Sequence, residues 1–184
     1  MRTRVATIIG LLAVLALAVP IAGCGEEEEE GVPEAVEGEP LELGGLLYNV
    51  SITRFLNPNI TEDEAYLASA AEEPQGMSYL GVFLQIKNEE DEGEAVPSAA
   101  SYSVVDASHR IFEPVELETE FTLDVGASVP PDGVIPEPDT VAAAGPTQGA
   151  LLLFLVDDDV SEERPLELEI ESAVGGTGLI ELDI

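Results

Sequence analysis

Short runs in which apolar and polar residues alternate one by one recur along most of this chain. The clearest cases are residues 48–53 and 166–171, where each apolar side chain is followed by a polar one. A period of two places apolar side chains on one face of a β-strand and polar side chains on the other. Because these runs are separated by clusters of Gly, Pro, Asn and Asp, the pattern predicts an all-β domain.

Turn residues divide the region from Leu41 to Ile184 into short segments with strand character. The predicted strands are residues 48–56, 79–88, 101–106, 110–112, 115–125, 150–156, 166–171 and 180–184. The run 150–156 is wholly apolar, which is typical of a central strand buried on both faces. Short strands at this spacing predict an immunoglobulin-like antiparallel β-sandwich over residues 41–184.

The sequence also predicts the conformation of three segments that connect these strands. Thr61 and Glu64 have the spacing of a capping box, which predicts a short helix as far as about Ala71. Lys87-Asn88 is expected to lead a strand out to solvent. Residues 126–138 are rich in Pro and Gly and predict a long irregular loop.

The order of these features resembles the telokin-like, immunoglobulin-fold domain of unknown function found in many bacterial lipoproteins and small secreted actinobacterial antigens. Four segments carry the resemblance: Tyr48-x-Val50-x-Ile52, the strand Val82–Asn88, the Asp-turn-aromatic segment Val104–Phe112, and Gly149–Val156. The chain departs from that family where Ala107–Arg110 replaces the usual glycine of the Asp-turn. The resemblance implies a fold and an extracytoplasmic location, and it implies no known activity.

The first 23 residues have the three parts of a secretory signal peptide. Arg2 and Arg4 precede an uncharged apolar stretch, Ile8–Ala22, that ends in small residues. The alternative, a transmembrane anchor, needs about 20 apolar residues without interruption. Here the stretch is shorter, is broken by Gly10 and Pro20, and is followed by glutamates.

The end of this segment, Ile21-Ala22-Gly23-Cys24, resembles the lipobox of bacterial lipoproteins. The resemblance implies a diacylglyceryl group on the Cys24 thiol and cleavage just before it. Cys24 is the single cysteine of the chain, whereas exported domains generally use cysteines in disulfide pairs. We therefore expect a protein anchored by lipid to the extracytoplasmic face of the cell membrane.

Residues 24–40 contain the lipid site and then a strongly acidic stretch that includes Glu26–Glu30. Their apolar content is too low to form a core, and their charges repel one another. The segment is predicted to be a disordered linker between the membrane and the domain.

The charge balance excludes several classes of partner. The chain has 38 Asp and Glu residues against six Lys and Arg, a formal charge of −32, and cleavage would remove two of the arginines. Nucleic acids and anionic lipid headgroups require a cationic face and are therefore excluded. Self-repulsion favours a monomer. A protein ligand, a glycan or a cation stays open, as does a purely solvating role for the acids.

The sequence contains few groups for catalysis. His109, the single histidine, is predicted to be exposed in a turn, and it has neither a second histidine nor a free cysteine as a partner for zinc or nucleophilic chemistry. The leading hypothesis is therefore a non-enzymatic binding module without a cofactor. The alternative is a calcium-dependent adhesion module, and a hydrolase with paired carboxylates ranks third. The candidate calcium ligands are Glu89 and Asp91 in one loop and Asp157, Asp158 and Asp159 in another.

Overall fold

Two β-sheets packed face to face form the part of the chain that the computed structural model describes, residues 31–184. The strands are β1 (Glu34–Val36), β2 (Leu41–Leu43), β3 (Leu46–Leu56), β4 (Met77–Lys87), β5 (Val96–Pro97), β6 (Ser101–Val105), β7 (Ile111–Phe112), β8 (Ser128–Val129), β9 (Val134–Ile135), β10 (Ala150–Asp157), β11 (Glu167–Glu171) and β12 (Thr177–Glu181). The helical elements are α1 (Val141–Ala144) and a 3₁₀ turn (Val160–Glu162). The predicted all-β sandwich is confirmed. The predicted signal peptide and Cys24 lie outside the described residues.

The first sheet has the strand order β1-β12-β11-β6-β7, and the second has the order β10-β4-β3-β2. β9 pairs with the end of β4 in the second sheet, and β5 and β8 form a separate two-stranded ribbon. Every described pairing between strands is antiparallel except that of β1 with β12, which is parallel. Successive strands therefore run up and down between two ends of the sandwich.

The two ends carry different loops. The strand registers place the β2–β3 turn, residues 88–95 and the β11–β12 turn at one end, which we call the proximal end. The connection 57–76, the turn 106–110 and residues 158–166 lie at the other end, which we call the distal end. β3 and β4 each have 11 residues, and at a rise of about 3.3 Å per residue they hold the two ends roughly 35 Å apart.

The main core fills the space between the sheets. Its side chains come from the inward faces of both, and the largest fully buried members include Tyr48, Leu84, Phe154 and Leu168. Such burial stabilises each large apolar side chain by about 1.5–3 kcal/mol relative to exposure. The alternation seen in the sequence marks this face correctly along β4, β6, β11 and β12.

A second core covers the outer face of the second sheet. Tyr79 and Phe83 of β4, with Leu151 and Leu153 of β10, pack there against Tyr66 and Leu67 of the connection 57–76 and Leu117 of the segment after β7. This sheet is therefore buried on both faces, whereas the first sheet faces solvent on its outer side. The predicted burial of residues 150–156 on both faces follows from this extra layer.

The helix predicted from Thr61 to Ala71 is absent from the structure, which has successive turns there. The reason is Asp63, which is buried at 3 % exposure. Its carboxylate accepts hydrogen bonds from the Asn57 backbone N–H at 2.9 Å and from Arg54 at 2.7 Å. These bonds fold the segment back toward the end of β3 instead of letting it extend as a helix.

A β-bulge changes the side-chain pattern of β3. The register with β4 shifts between Val50 and Ile52, so one extra residue moves the following side chains to the opposite face. Ile52, predicted to face the core with Tyr48 and Val50, is instead 39 % exposed. Thr53 takes the inward position opposite Val82.

The strand predicted over residues 115–125 is also wrong. This segment touches the free edge of β10 through isolated bridges, Pro114 with Phe154 and Thr122 with Leu151. Two backbone hydrogen bonds join them. The Val115 N–H donates to the Leu153 carbonyl at 2.7 Å, and the Leu123 N–H donates to the Leu151 carbonyl at 2.9 Å. β10 is thus an edge strand of its sheet whose edge is partly covered by irregular chain.

Asn88 is buried at 1 % exposure and does not lead the chain into solvent as predicted. Its side-chain amide donates to the Val129 carbonyl at 3.1 Å, and its oxygen accepts from the Glu90 backbone N–H. Its own backbone N–H bonds the Gly133 carbonyl. Asn88 therefore holds the loop 126–138 against the end of β4. This loop was predicted to be irregular, but it contains β8 and β9.

The folded region begins before Leu41, within the segment predicted to be a disordered linker. β1 pairs with β12, and the next residue, Glu37, joins the two sheets. Its carboxylate accepts from the Thr53 backbone N–H of the second sheet at 3.0 Å and from the Asp183 N–H after β12 at 3.1 Å. Glu37 was not distinguishable by sequence from the other glutamates of the acidic segment.

Candidate functional site

Four charged side chains meet at the distal end, and we call this group the Arg110 cluster: Arg110, Asp106, Asp157 and Asp159. Arg110 donates from Nε to Asp106 at 2.6 Å, and its Nη1 atom donates to Asp157 and to Asp159, each at 2.9 Å. The guanidinium also lies over the Phe112 ring. One cation thus joins the turn after β6 to the end of β10.

Asp106 is the buried member of the Arg110 cluster, with 4 % of its surface exposed. Its Oδ1 accepts from the backbone N–H groups of Ser108 and Arg110, each at 2.9 Å, which folds residues 106–110 into a tight turn. Burial alone would raise the pKa of Asp106, but the hydrogen bonds and charge of Arg110 outweigh burial and hold this pKa below its usual value. The carboxylate is therefore charged and structural.

The aspartates predicted as calcium ligands are engaged in other contacts. Asp157 and Asp159 bind Arg110, and the Asp158 carboxylate accepts from the Ser78 hydroxyl at 2.7 Å. A cation at this loop would have to replace an arginine that already satisfies two of the three carboxylates. In this arrangement, the side chains of Asp157, Asp158 and Asp159 hold the distal loops together.

The other predicted calcium loop lies at the opposite end of the molecule. Glu89 forms an exposed ion pair with Lys87 at 2.8 Å, and Asp91 is exposed in the same loop. The whole length of β4, roughly 35 Å, separates this loop from Asp157. Acids from the two loops therefore cannot converge on one ion. Within residues 31–184, no group of three or more His, Cys, Asp or Glu side chains is arranged to hold a metal.

Calcium is expected to stabilise the domain no more than sodium chloride of the same ionic strength. Both salts should raise the melting temperature, because both screen the repulsion among the acids. The measurement is a thermal melt of residues 31–184 in the two salts. A larger rise in calcium would indicate a specific cation site and would contradict the assignment of Asp157 and Asp159 to Arg110.

His109 is exposed at the tip of the turn 106–110, as predicted, and its backbone has a positive φ of 62°. Residues other than glycine are uncommon in this left-handed conformation, and histidine is one of the few that adopt it more often. Here the conformation closes the turn that the buried carboxylate of Asp106 organises. The neighbouring Ser108 hydroxyl donates to Glu163 at 2.7 Å, so it joins two distal loops.

Among the open clefts that border the second core, two have volumes of about 390 Å³ each. One lies where the segment after β7 diverges from the edge of β10, and its rim carries Glu116, Glu118 and Asp124. The other lies against the connection 57–76 and is lined by Arg54, Ile60, Glu62, Asp63, Tyr66, Pro146 and Thr147. Arg54 is held there by Asp63 and lies over the Tyr66 and Phe83 rings.

Among the residues that the structure describes, no helix has both the length and the apolar character needed to cross a membrane.

The sequence pattern pointed to the acidic loops as the candidate site. It did not identify the charged residues that join loops and strands through their side chains, which are Arg110, Asp106, Asp63 and Glu37. Asp106 and Arg110 were visible only as parts of a predicted turn.

Comparison with known proteins identifies the fold. The structure is similar to an uncharacterized β-sandwich protein from Clostridium difficile 630, with a TM-score of 0.51 at 15 % identity over 86 % of this chain and 99 % of that one. The yjhA protein from Bacillus subtilis is more distant, with a TM-score of 0.48 at 9 % identity over 81 % of this chain and 99 % of that one. Neither a protein-family model nor a curated protein matches the chain. The chain is thus an all-β sandwich that is similar in fold to the uncharacterized protein from Clostridium difficile 630.

Proposed function

We propose that this protein is a lipid-anchored, extracytoplasmic binding module without enzymatic activity. The observation that carries the proposal is the lipobox-like segment ending at Cys24, which lies only ten residues before the first strand of the sandwich, β1, begins at Glu34. A lipid at Cys24 would hold the domain close to the membrane surface. Two or three acyl chains give stable anchoring, at about 0.8 kcal/mol for each buried methylene.

The character of the distal end supports a binding role. Its loops are fixed by the Arg110 cluster and by the second core, so they form a preformed surface on a rigid scaffold. Loops held in this way are the usual location of binding residues. A protein or glycan ligand could contact such a surface without a large ordering cost.

The contacts of the charged residues support a non-enzymatic role over the hydrolase hypothesis. Asp106 and Asp63 have lowered pKa values because hydrogen bonds and charge from Arg110 and Arg54 outweigh the opposing effect of their burial. A general acid instead needs a raised pKa. The buried carboxylates of the domain therefore have the environment of structural anions.

The anchoring is tested by expressing the full chain in a bacterium that is fed an alkyne-labelled fatty acid. We expect the label on the wild-type chain, recovery in the membrane fraction, and digestion by protease added to cells whose outer barrier is permeabilised. Cys24→Ser is the matched control and should lose the label. An unlabelled wild-type chain in the soluble fraction would refute the proposal.

A further inference from the structure

We infer that the anchored domain stands with its proximal end toward the membrane and its distal end away from it. The inference rests on the proposed lipid anchoring at Cys24. It adds an orientation, in which the proximal end is the end nearer to the lipid.

The direction of β1 fixes where the tether reaches the sandwich. The Pro33 carbonyl accepts from the Leu179 N–H at 3.0 Å, and Glu34 is the register partner of Leu179, the middle residue of β12. Because β1 runs parallel to β12, the chain arrives from the proximal end and continues toward the distal end. The described chain before Glu34, residues 31–33, therefore enters β1 from the proximal side.

The length of the tether limits how far this end can move from the lipid. Nine peptide steps separate Cys24 from Pro33, whose carbonyl is hydrogen-bonded to β12, and fully extended chain spans at most about 3.6 Å per residue, or roughly 32 Å in total. The distal end lies roughly 35 Å beyond the proximal end along the strands. Because the chain enters β1 from the proximal side, the proximal end is nearer to the lipid than the distal end when the strands stand upright on the membrane.

Electrostatic repulsion disfavours the flat orientation on an anionic membrane. The solvent face of the first sheet carries Glu167, Glu169 and Glu171 on β11, with Glu181 directly beside Glu167 and Glu34 on β1. Laying this face on anionic headgroups would bring many like charges within a Debye length, about 8 Å at physiological ionic strength. An acidic domain that is tethered from its proximal side is instead repelled outward. Its acidic proximal loop around Glu89 adds a short separation from the surface.

Energy transfer from a donor on the domain to acceptor dyes in the lipid tests the orientation. The chain from Cys24 onward is coupled through its single thiol to maleimide lipid in vesicles of phosphatidylcholine, with or without phosphatidylglycerol. A click-reactive amino acid carries the donor at Val174 in the proximal end or at Ile60 in the distal end. Both positions are exposed and uncharged, with exposures of 62 % and 44 %.

On vesicles containing phosphatidylglycerol at low salt, we expect several-fold stronger transfer from position 174 than from position 60. The difference should shrink at high salt as the repulsion is screened. Equal transfer at low salt, or stronger transfer from position 60, would overturn the orientation. Because the coupling is chemical, this result is independent of whether cells lipidate Cys24, which the fatty-acid labelling decides separately.

Discussion

Replacing Asp106 with alanine is expected to lower the free energy of unfolding by about 2–4 kcal/mol. The substitution removes the acceptor of three hydrogen bonds, two from backbone N–H groups and one from the Arg110 side chain. It leaves those backbone donors in a tight turn with no carboxylate to satisfy them. For a domain of this size, a loss of 1 kcal/mol corresponds to about 2–4 °C in melting temperature.

Urea unfolding of the wild type, Asp106→Ala and Asp158→Ala measures this effect. Asp158 is the matched control because its carboxylate accepts only an exposed hydroxyl, and its removal should change stability by less than about 0.5 kcal/mol. Similar losses for the two variants would contradict a structural role specific to the buried carboxylate. Asp106→Asn should fall between them, since it keeps an acceptor oxygen and loses the ion pair.

The pH dependence of the same variants provides a second readout. The folded-state pKa of Asp106 is lowered, so its contribution is fully present above the ordinary aspartate value of about 3.9 and is lost as the pH falls through the lower folded pKa. The gap in stability between wild type and Asp106→Asn should therefore be constant near neutrality and close in acid. Asp63 titrates in the same direction, and comparing variants rather than absolute stability removes its contribution.

Alternation in the sequence predicted the strands wherever each strand has one face on the main core and no irregularity. β4, β6 and β11 follow the predicted bounds to within a few residues. β3 does not keep its predicted pattern, because a single extra residue at the bulge moves Ile52 to the other face. A bulge changes the register by one residue without any composition that distinguishes it from a regular strand.

The errors in the irregular regions share a physical cause. Residues 115–125 carry apolar side chains at strand-like spacing, yet Leu117 and Leu123 are buried on different sides of the second sheet, in the second and the main core respectively. A sequence pattern records that a side chain is apolar and does not record which layer receives it. β1 was missed for the opposite reason, since a three-residue edge strand inside an acidic segment has almost no alternation to detect.

The side-chain contacts that form the candidate site join residues that are far apart in the sequence. The turn at Asp106 was predicted from the local residues, but the partners of Arg110 lie 47 and 49 positions away at Asp157 and Asp159. The sequence therefore indicated acidic loops and suggested an external cation. In the structure, Arg110 supplies a cation from within the chain to Asp157 and Asp159 and forms an ion-pair cluster at the distal end.

Tyr66→Ala is expected to lower the free energy of unfolding by about 3–5 kcal/mol, the usual cost of removing a buried aromatic side chain. The Tyr66 ring is 3 % exposed and lies 5.2 Å from the Phe83 ring and 4.5 Å from the Phe121 ring, between centroids. Arg54 lies over its face at 5.6 Å. No other described aromatic ring joins the connection 57–76 to both β4 and the segment after β7.

Hydrogen exchange and urea unfolding together distinguish a local role from a global one. Ile60→Ala is the matched control in the same connection, and its loss of stability should be below about 1 kcal/mol because the side chain is 44 % exposed. In Tyr66→Ala, the amides of Leu67 and Glu118 should lose protection first, since they bond within or across the second core. If the two variants are equally stable, the connection 57–76 does not contribute to the stability of the sandwich. If Tyr66→Ala alone is destabilised, the distal end is a preformed surface whose rigidity depends on a core separate from the one between the sheets.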